Sequence, residues 1–204
     1  MNRLISVLVL LLTITLSSPS QEKVNDFYIS GGLSFPSGPQ LFSDYWKMGF
    51  NVGGGFGFPL STSVSLIAIV DYNNFSFDEE GFLKAFGFSN YGLSITGGSA
   101  SIFTVNGNIK ILLNTTPNTT SPYIIGGLGF FSLSTSDVTV SGSGGSVNVA
   151  GDSESAFNVQ FGLGIDIPTS STMNVFIEGR YGIGFTKEEN TSFLPIRIGL
   201  RIKI

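Results

Sequence analysis

The stretch FNVQFGLGIDIPTSSTMNVFIEGRYGIGF, residues 157–185, decides how the chain is read. Phe157, Val159, Phe161, Leu163, Ile165 and Ile167 hold every second position, alternating with Asn158, Gln160, Gly162, Gly164 and Asp166. After the turn-forming "PTSS" the alternation resumes: Val175, Ile177, Tyr181, Ile183 and Phe185 stand against Asn174, Glu178, Arg180, Gly182 and Gly184, and only Phe176 breaks the polar face. Successive side chains of a strand point to opposite faces. The stretch is therefore a β-hairpin with one aliphatic face and one face of small polar groups and a few charges.

The same pattern runs outward in both directions. Met48, Phe50, Val52, Phe56 and Phe58 alternate with glycines and Asn51, and Phe103, Val105, Ile109, Ile111 and Leu113 with Thr104, Asn106, Asn108 and Lys110. The chain closes on Ile196, Ile198, Leu200, Ile202 and Ile204, separated by Arg197, Gly199, Arg201 and Lys203. No long stretch has the 3.6-residue period of an amphipathic helix. Eight strands are expected, near residues 26–35, 47–58, 64–74, 102–113, 122–133, 155–167, 172–185 and 193–204. The third and fifth are the least sharply patterned, because Ile67, Ile69, Ile124 and Leu128 put apolar groups on both faces.

Three connections, residues 59–63, 114–121 and 168–171, are short and rich in Pro, Ser, Thr and Asn. Between them fall the segments 36–46, 75–101, 134–154 and the brief 186–190. An even number of antiparallel strands with turns and mostly longer loops in alternation sends all turns to one end and all loops to the other. That polarity belongs to transmembrane β-barrels.

Alternation alone does not say whether the apolar face meets lipid or a soluble core; the opposite face decides. Only 12% of the residues are charged, against roughly 25% in soluble domains, while the chain holds 27 Gly and 19 Phe. A water-facing sheet would carry many Lys, Glu and Arg, whereas small neutral groups suit the cramped interior of a narrow barrel. Aromatics lie near the ends of the apolar faces, at Phe27, Phe35, Phe58, Tyr72, Phe103, Tyr123, Phe131, Phe157, Tyr181 and Phe185, as in the girdles of membrane barrels. The expected fold is all-β: an eight-stranded antiparallel up-and-down transmembrane β-barrel. A secreted soluble β-barrel binding an apolar ligand is the alternative from another class.

Residues 1–20 read as a signal peptide: a lone Arg3, an apolar run from Leu4 to Leu16, then Ser18-Pro19-Ser20 as a small-x-small cleavage site. The barrel domain would then occupy residues 21–204, in the outer membrane of a Gram-negative-type bacterium. No Cys follows the run, which excludes a lipoprotein anchor, and none occurs elsewhere to form a disulfide or thiolate metal site. Without Arg3, nine basic residues face 14 acidic ones, a balance that argues against nucleic acid as a partner.

The run SPYIIGGLGFF (121–131), the 157–185 hairpin and the alternating last strand resemble the eight-stranded outer-membrane barrels of the OmpA and OmpX type. The resemblance covers nearly all of the chain after the leader. It implies outer-membrane lipid as surroundings, handling by the barrel-assembly machinery, and a monomer. Members of that family commonly end in an aromatic residue read by the assembly machinery, whereas this chain ends in Ile204. The sequence stops at the barrel, so the resemblance does not extend to the peptidoglycan-binding domain that OmpA-type proteins append.

The absence of His removes the usual base for a Ser nucleophile and the commonest metal ligand, so no enzymatic activity, cofactor or metal is expected. The inward charges form the best-defined constellation: Lys47, Asp71, Lys110, Asp166, Glu178, Arg180, Arg197, Arg201 and Lys203. A simple hairpin of the last two strands sets Glu178 opposite Arg197 or Gly199, and a buried carboxylate needs partners. An ion-pair network filling the lumen is expected; a narrow passive pore for ions or very small solutes is the alternative. The acidic run Asp78-Glu79-Glu80 lacks the ligand spacing of a calcium loop and reads as a solvated loop. Phe82, Phe86, Phe88 and Tyr91 belong to a segment that is either strand extension above the membrane or an apolar contact surface. The expected role is structural, with four loops displayed at the cell surface for adhesion or surface protection.

Overall fold

The computed structural model describes residues 24–89 and 91–204; the leader assigned to residues 1–20 lies outside them. Eight strands close into a barrel: β1 (Asp26–Gly38), β2 (Gly49–Pro59), β3 (Val64–Ser76), β5 (Ser99–Leu112), β6 (Ser121–Thr135), β9 (Ser153–Pro168), β10 (Met173–Gly184) and β11 (Thr191–Lys203). Each pairs antiparallel with its sequence neighbour in this set. The last strand returns to the first, with Asp26 opposite Lys203 and Leu33 opposite Ile196. Closure leaves no exposed strand edge in the barrel wall. Every one of the eight expected strands is present, most of them longer by one to three residues at the loop end.

The hairpins on either side of 60–63 and 169–172 turn by the same device. Ser61 Oγ accepts from the Val64 N–H at 3.1 Å and Ser170 Oγ from the Met173 N–H at 3.1 Å, while Leu60 and Thr169 donate to the carbonyls of Val64 and Met173. A serine placed three residues before the next strand supplies the acceptor that a turn otherwise lacks.

Ile29, Phe56, Ile109, Leu163 and Ile198 are each half or more exposed on the outside of the barrel, while Asn51, Asn106, Asn158 and Gln160 are buried inside. The apolar face is thus the outer one. A soluble barrel wrapped around an apolar ligand would need the reverse.

Two assignments to the outer aromatic girdle are corrected. Tyr123 and Phe131 point into the lumen and are fully buried. Strand β6 is apolar on both faces here, so alternation could not separate them: Ile124 and Leu128 on the opposite parity face outward. Inside, Tyr123 joins Tyr28, Ile67, Ile69, Ile125 and Phe176 in one apolar cluster. Room for these rings comes from glycines on adjacent strands and, for Phe131, on the next strand but one. A Cβ on Gly164 would lie 2.5 Å from the Tyr123 ring, and one on Gly184 would lie 2.9 Å from Phe131. Gly57, Gly182 and Gly199 stand in the same relation to Tyr28, Phe193 and Phe176.

The loop end carries structure that the alternation pattern does not announce. Residues 39–48 contain a short helix α1 (Gln40–Tyr45), and residues 77–98 contain α2 (Glu79–Ala85) and strand β4 (Ser94–Gly97). Within 136–152, β7 (Val138–Gly142) and β8 (Gly145–Val149) form a hairpin, and β4 joins it to make a three-stranded sheet in the order β4-β7-β8. The two longest loops are therefore hydrogen-bonded to each other. Helix α2 replaces strand extension through residue 85: the Asp78 carboxylate caps it by accepting the Gly81 N–H at 3.2 Å, and Glu79 and Glu80 lie in its first turn. Its seven residues are too few to register as a period.

Candidate functional site

The register between β10 and β11 sets Glu178 directly opposite Arg197. Both are buried in mid-lumen. Glu178 Oε1 accepts from Arg180 Nε at 2.6 Å and from Arg197 Nε at 2.8 Å, and Tyr123 Oη donates to Oε2 at 3.0 Å. Arg197 Nη1 continues to the Asp71 carboxylate on the far side of the lumen. Two carboxylates thus share two guanidiniums, whose planar forks suit several acceptors at once.

A second layer lies two residues from the turn end of three strands. Lys110 Nζ stands 2.8 Å and Arg201 Nη1 3.1 Å from Asp166 Oδ2. The Lys110 ammonium also lies 3.8 Å from the centroid of the Tyr123 ring, in cation–π contact. Tyr123 therefore ties the two layers together, its hydroxyl on one and its face on the other. Its role was missed in the sequence because its parity was read as outward.

Of the nine charged residues expected in the lumen, the structure brings together Asp71, Lys110, Asp166, Glu178, Arg180, Arg197 and Arg201. Lys47 and Lys203 stand apart. Lys47 precedes β2, where the strand's alternation no longer governs direction; it is exposed in the loop and pairs with Asp78 at 3.1 Å. Lys203 ends β11, and its long stem carries the ammonium out to the Ser171 carbonyl at 3.3 Å. Asp26, also buried at the turn end, was not singled out, although it shares the parity of Tyr28 and Ser30. With it, four carboxylates balance four cations inside.

Toward the loop end the lining becomes neutral and then apolar. Asn51 Nδ2 donates to Asn73 Oδ1 at 2.9 Å. Above them Phe75, Ile102, Phe131 and Phe193 form a fully buried layer that Phe42 of α1 caps from the loop. Around the central charges the remaining cavity is about 10 Å³, close to the smallest space that holds one water.

The loop surface holds a second group of side chains. Phe82 lies 5.2 Å from Tyr45 and 4.6 Å from Phe86 between ring centroids, and Trp46 packs on Phe77 at 5.4 Å, so aromatics from two loops form one cluster. Phe88 and Tyr91 form a separate pair. Phe86, Phe88 and Tyr91 expose 52%, 43% and 70% of their surface, while Phe82 is half-buried. The Gly81 N–H and the Lys47 ammonium hold the Asp78 carboxyl below the usual aspartate range. The Gly151 N–H and the Asn148 amide do the same for Asp137. Among the described residues no three carboxylates gather as a metal site.

Residues 6–201 match the family model described as "Outer membrane protein beta-barrel domain". The chain belongs to this family. Its short turns then face the periplasm and its long loops the outside. Among solved structures, this outer-membrane barrel is similar to Neisserial surface protein A, NspA, at 12% identity and a TM-score of 0.58, over 88% of this chain and 97% of that one. It is also similar to Ail, the attachment invasion locus protein of Yersinia pestis, at 15% identity, a TM-score of 0.48, and coverage of 89% and 100%. The N-terminal barrel domain of Pseudomonas aeruginosa OprF gives 10%, 0.48, 89% and 100%. At such identities the likeness is one of fold. No curated protein matches the chain by sequence.

Proposed function

We propose that this outer-membrane barrel is a non-enzymatic display scaffold: the lumen is a structural core, and the loops make adhesive or protective contact at the cell surface. In this reading residues 1–20 direct export, the assembly machinery inserts the barrel, and it works as a monomer. The observation that carries the proposal is the pairing of β4 with β7. It fastens the two longest loops into one sheet above the barrel, a fixed surface where a pore would have an open vestibule. The filled lumen supports the same reading, since a cavity of about 10 Å³ gives an ion no hydrated path.

The test is expression in a non-adherent laboratory strain with an outer membrane, comparing the native barrel with one whose residues 79–91 are replaced by a Gly-Ser linker. Retention on cell or abiotic surfaces should require the native segment, while planar bilayers show no steady unitary current. Equal retention by both strains together with a steady current would overturn the proposal in favour of the pore.

A further inference from the structure

The aromatic surface of the first two outer loops is built for one class of partner. Helix α2 places Phe82 and Phe86 four residues apart on one face; Phe82 anchors against Tyr45 while Phe86 is half exposed. Beside them Phe88 and Tyr91 hold each other edge to face. Soluble and surface loops rarely hold several large rings in contact at such exposure unless something covers them.

The charge around these rings selects what can do so. Lys47 is paired with Asp78. Asp44, Glu79 and Glu80 then stand against Lys84 in the same two loops. Over all four loops and their strand ends, nine carboxylates (Asp44, Asp78, Glu79, Glu80, Asp137, Asp152, Glu154, Glu188 and Glu189) face three lysines. An anionic lipid surface, polyanionic saccharide or nucleic acid would meet repulsion here, because like charges brought together at an interface oppose association.

Resting on the display reading above, we infer that this surface docks a cationic, amphipathic polypeptide segment. The apolar side of the segment would cover Phe86, Phe88 and Tyr91, and its Lys or Arg side chains would meet Asp44, Glu79 and Glu80. Large rings supply contact area at low entropic cost, and the carboxylates supply long-range steering.

The probe is a fluorescent 14-residue helix of Lys and Leu, compared with its Glu/Leu counterpart, on the full barrel in phosphatidylcholine nanodiscs. The Lys/Leu peptide should bind at least about tenfold more tightly than the Glu/Leu peptide and lose affinity as salt rises. Phe86→Ser with Tyr91→Ser should weaken it at all salt concentrations, whereas Glu79→Gln with Glu80→Gln should weaken it mainly at low salt. Heat-modifiable gel migration confirms that both variants are folded. Equal binding of the two peptides, or native binding by both variants, would overturn the inference. So would quenching of a dye at Tyr91→Cys, the sole thiol of that variant, by lipid-borne quenchers, since the ring would then lie in the membrane. Loss of peptide binding while residues 79–91 still support retention of whole cells would defeat this inference and leave the display reading intact.

Discussion

Glu178 and Arg197 face each other across the β10–β11 register with 2.7 Å between Glu178 Oε1 and Arg197 Nη2. Removing the carboxylate leaves Arg180 and Arg197 buried side by side. Glu178→Ala is expected to cost about 3–5 kcal/mol, the usual penalty for breaking a buried pair. The measurement is the urea midpoint of the heat-modifiable folded band in detergent; an unchanged midpoint would show that the central layer does not hold the barrel together.

The inward glycines make a sharper test of packing than any charge. Gly184→Ala drives a methyl into the buried Phe131 ring, whereas Gly107→Ala points to open space outside. The first should destabilise the barrel by about 1–3 kcal/mol and the second by no more than about 0.5 kcal/mol. Comparable losses in the same unfolding series would contradict the inward and outward assignment.

Two barriers in series make a prediction about conductance. Phe131→Ala with Phe193→Ala opens the outer apolar layer but leaves Glu178, Arg180, Arg197 and Asp71 in place below it. Planar bilayer recordings of this variant should still show no steady unitary current. A current from these two substitutions alone would mean that the aromatic layer is the whole seal.

Acid should separate the first two outer loops. The Asp78 carboxyl is held below its usual range by the Gly81 N–H and Lys47. A depressed pKa stabilises the folded loops above the ordinary aspartate range, about 3.9, and that contribution is lost as pH falls through the folded value. Trp46, the sole tryptophan, packs on Phe77 and pairs with it across the two loops. Its emission should therefore be constant at neutral pH and shift below the ordinary aspartate range, with Asp78→Asn showing the shifted emission at every pH.

The barrel was legible because lipid and lumen impose opposite demands on alternate residues. Where each demand was met, as in residues 157–167 and 196–202, the sequence assigned the strand and its direction and narrowed the position opposite Glu178 to Arg197 or Gly199, of which the register selects Arg197. It misled where the lumen itself is apolar: Tyr123 and Phe131 are inward rings that parity alone could not tell from outward ones. Lys47 and Lys203 failed for other reasons: Lys47 lies before its strand begins, and Lys203, still paired with Asp26 at the end of its strand, carries its ammonium out of the lumen on a long stem. The β4-β7-β8 sheet was hidden because its strands have only four or five residues and pair across loops, and nothing local in the sequence specifies such partners.

Phe42 gives the first outer loop a stake in the barrel's interior. Its neighbour Leu41 is exposed, so selection on the outer surface can change it freely. Phe42 cannot change without opening the mouth of the lumen beneath it. Divergence of this loop is therefore expected to run around a fixed aromatic position, and a graft that swaps the loop must carry that ring with it.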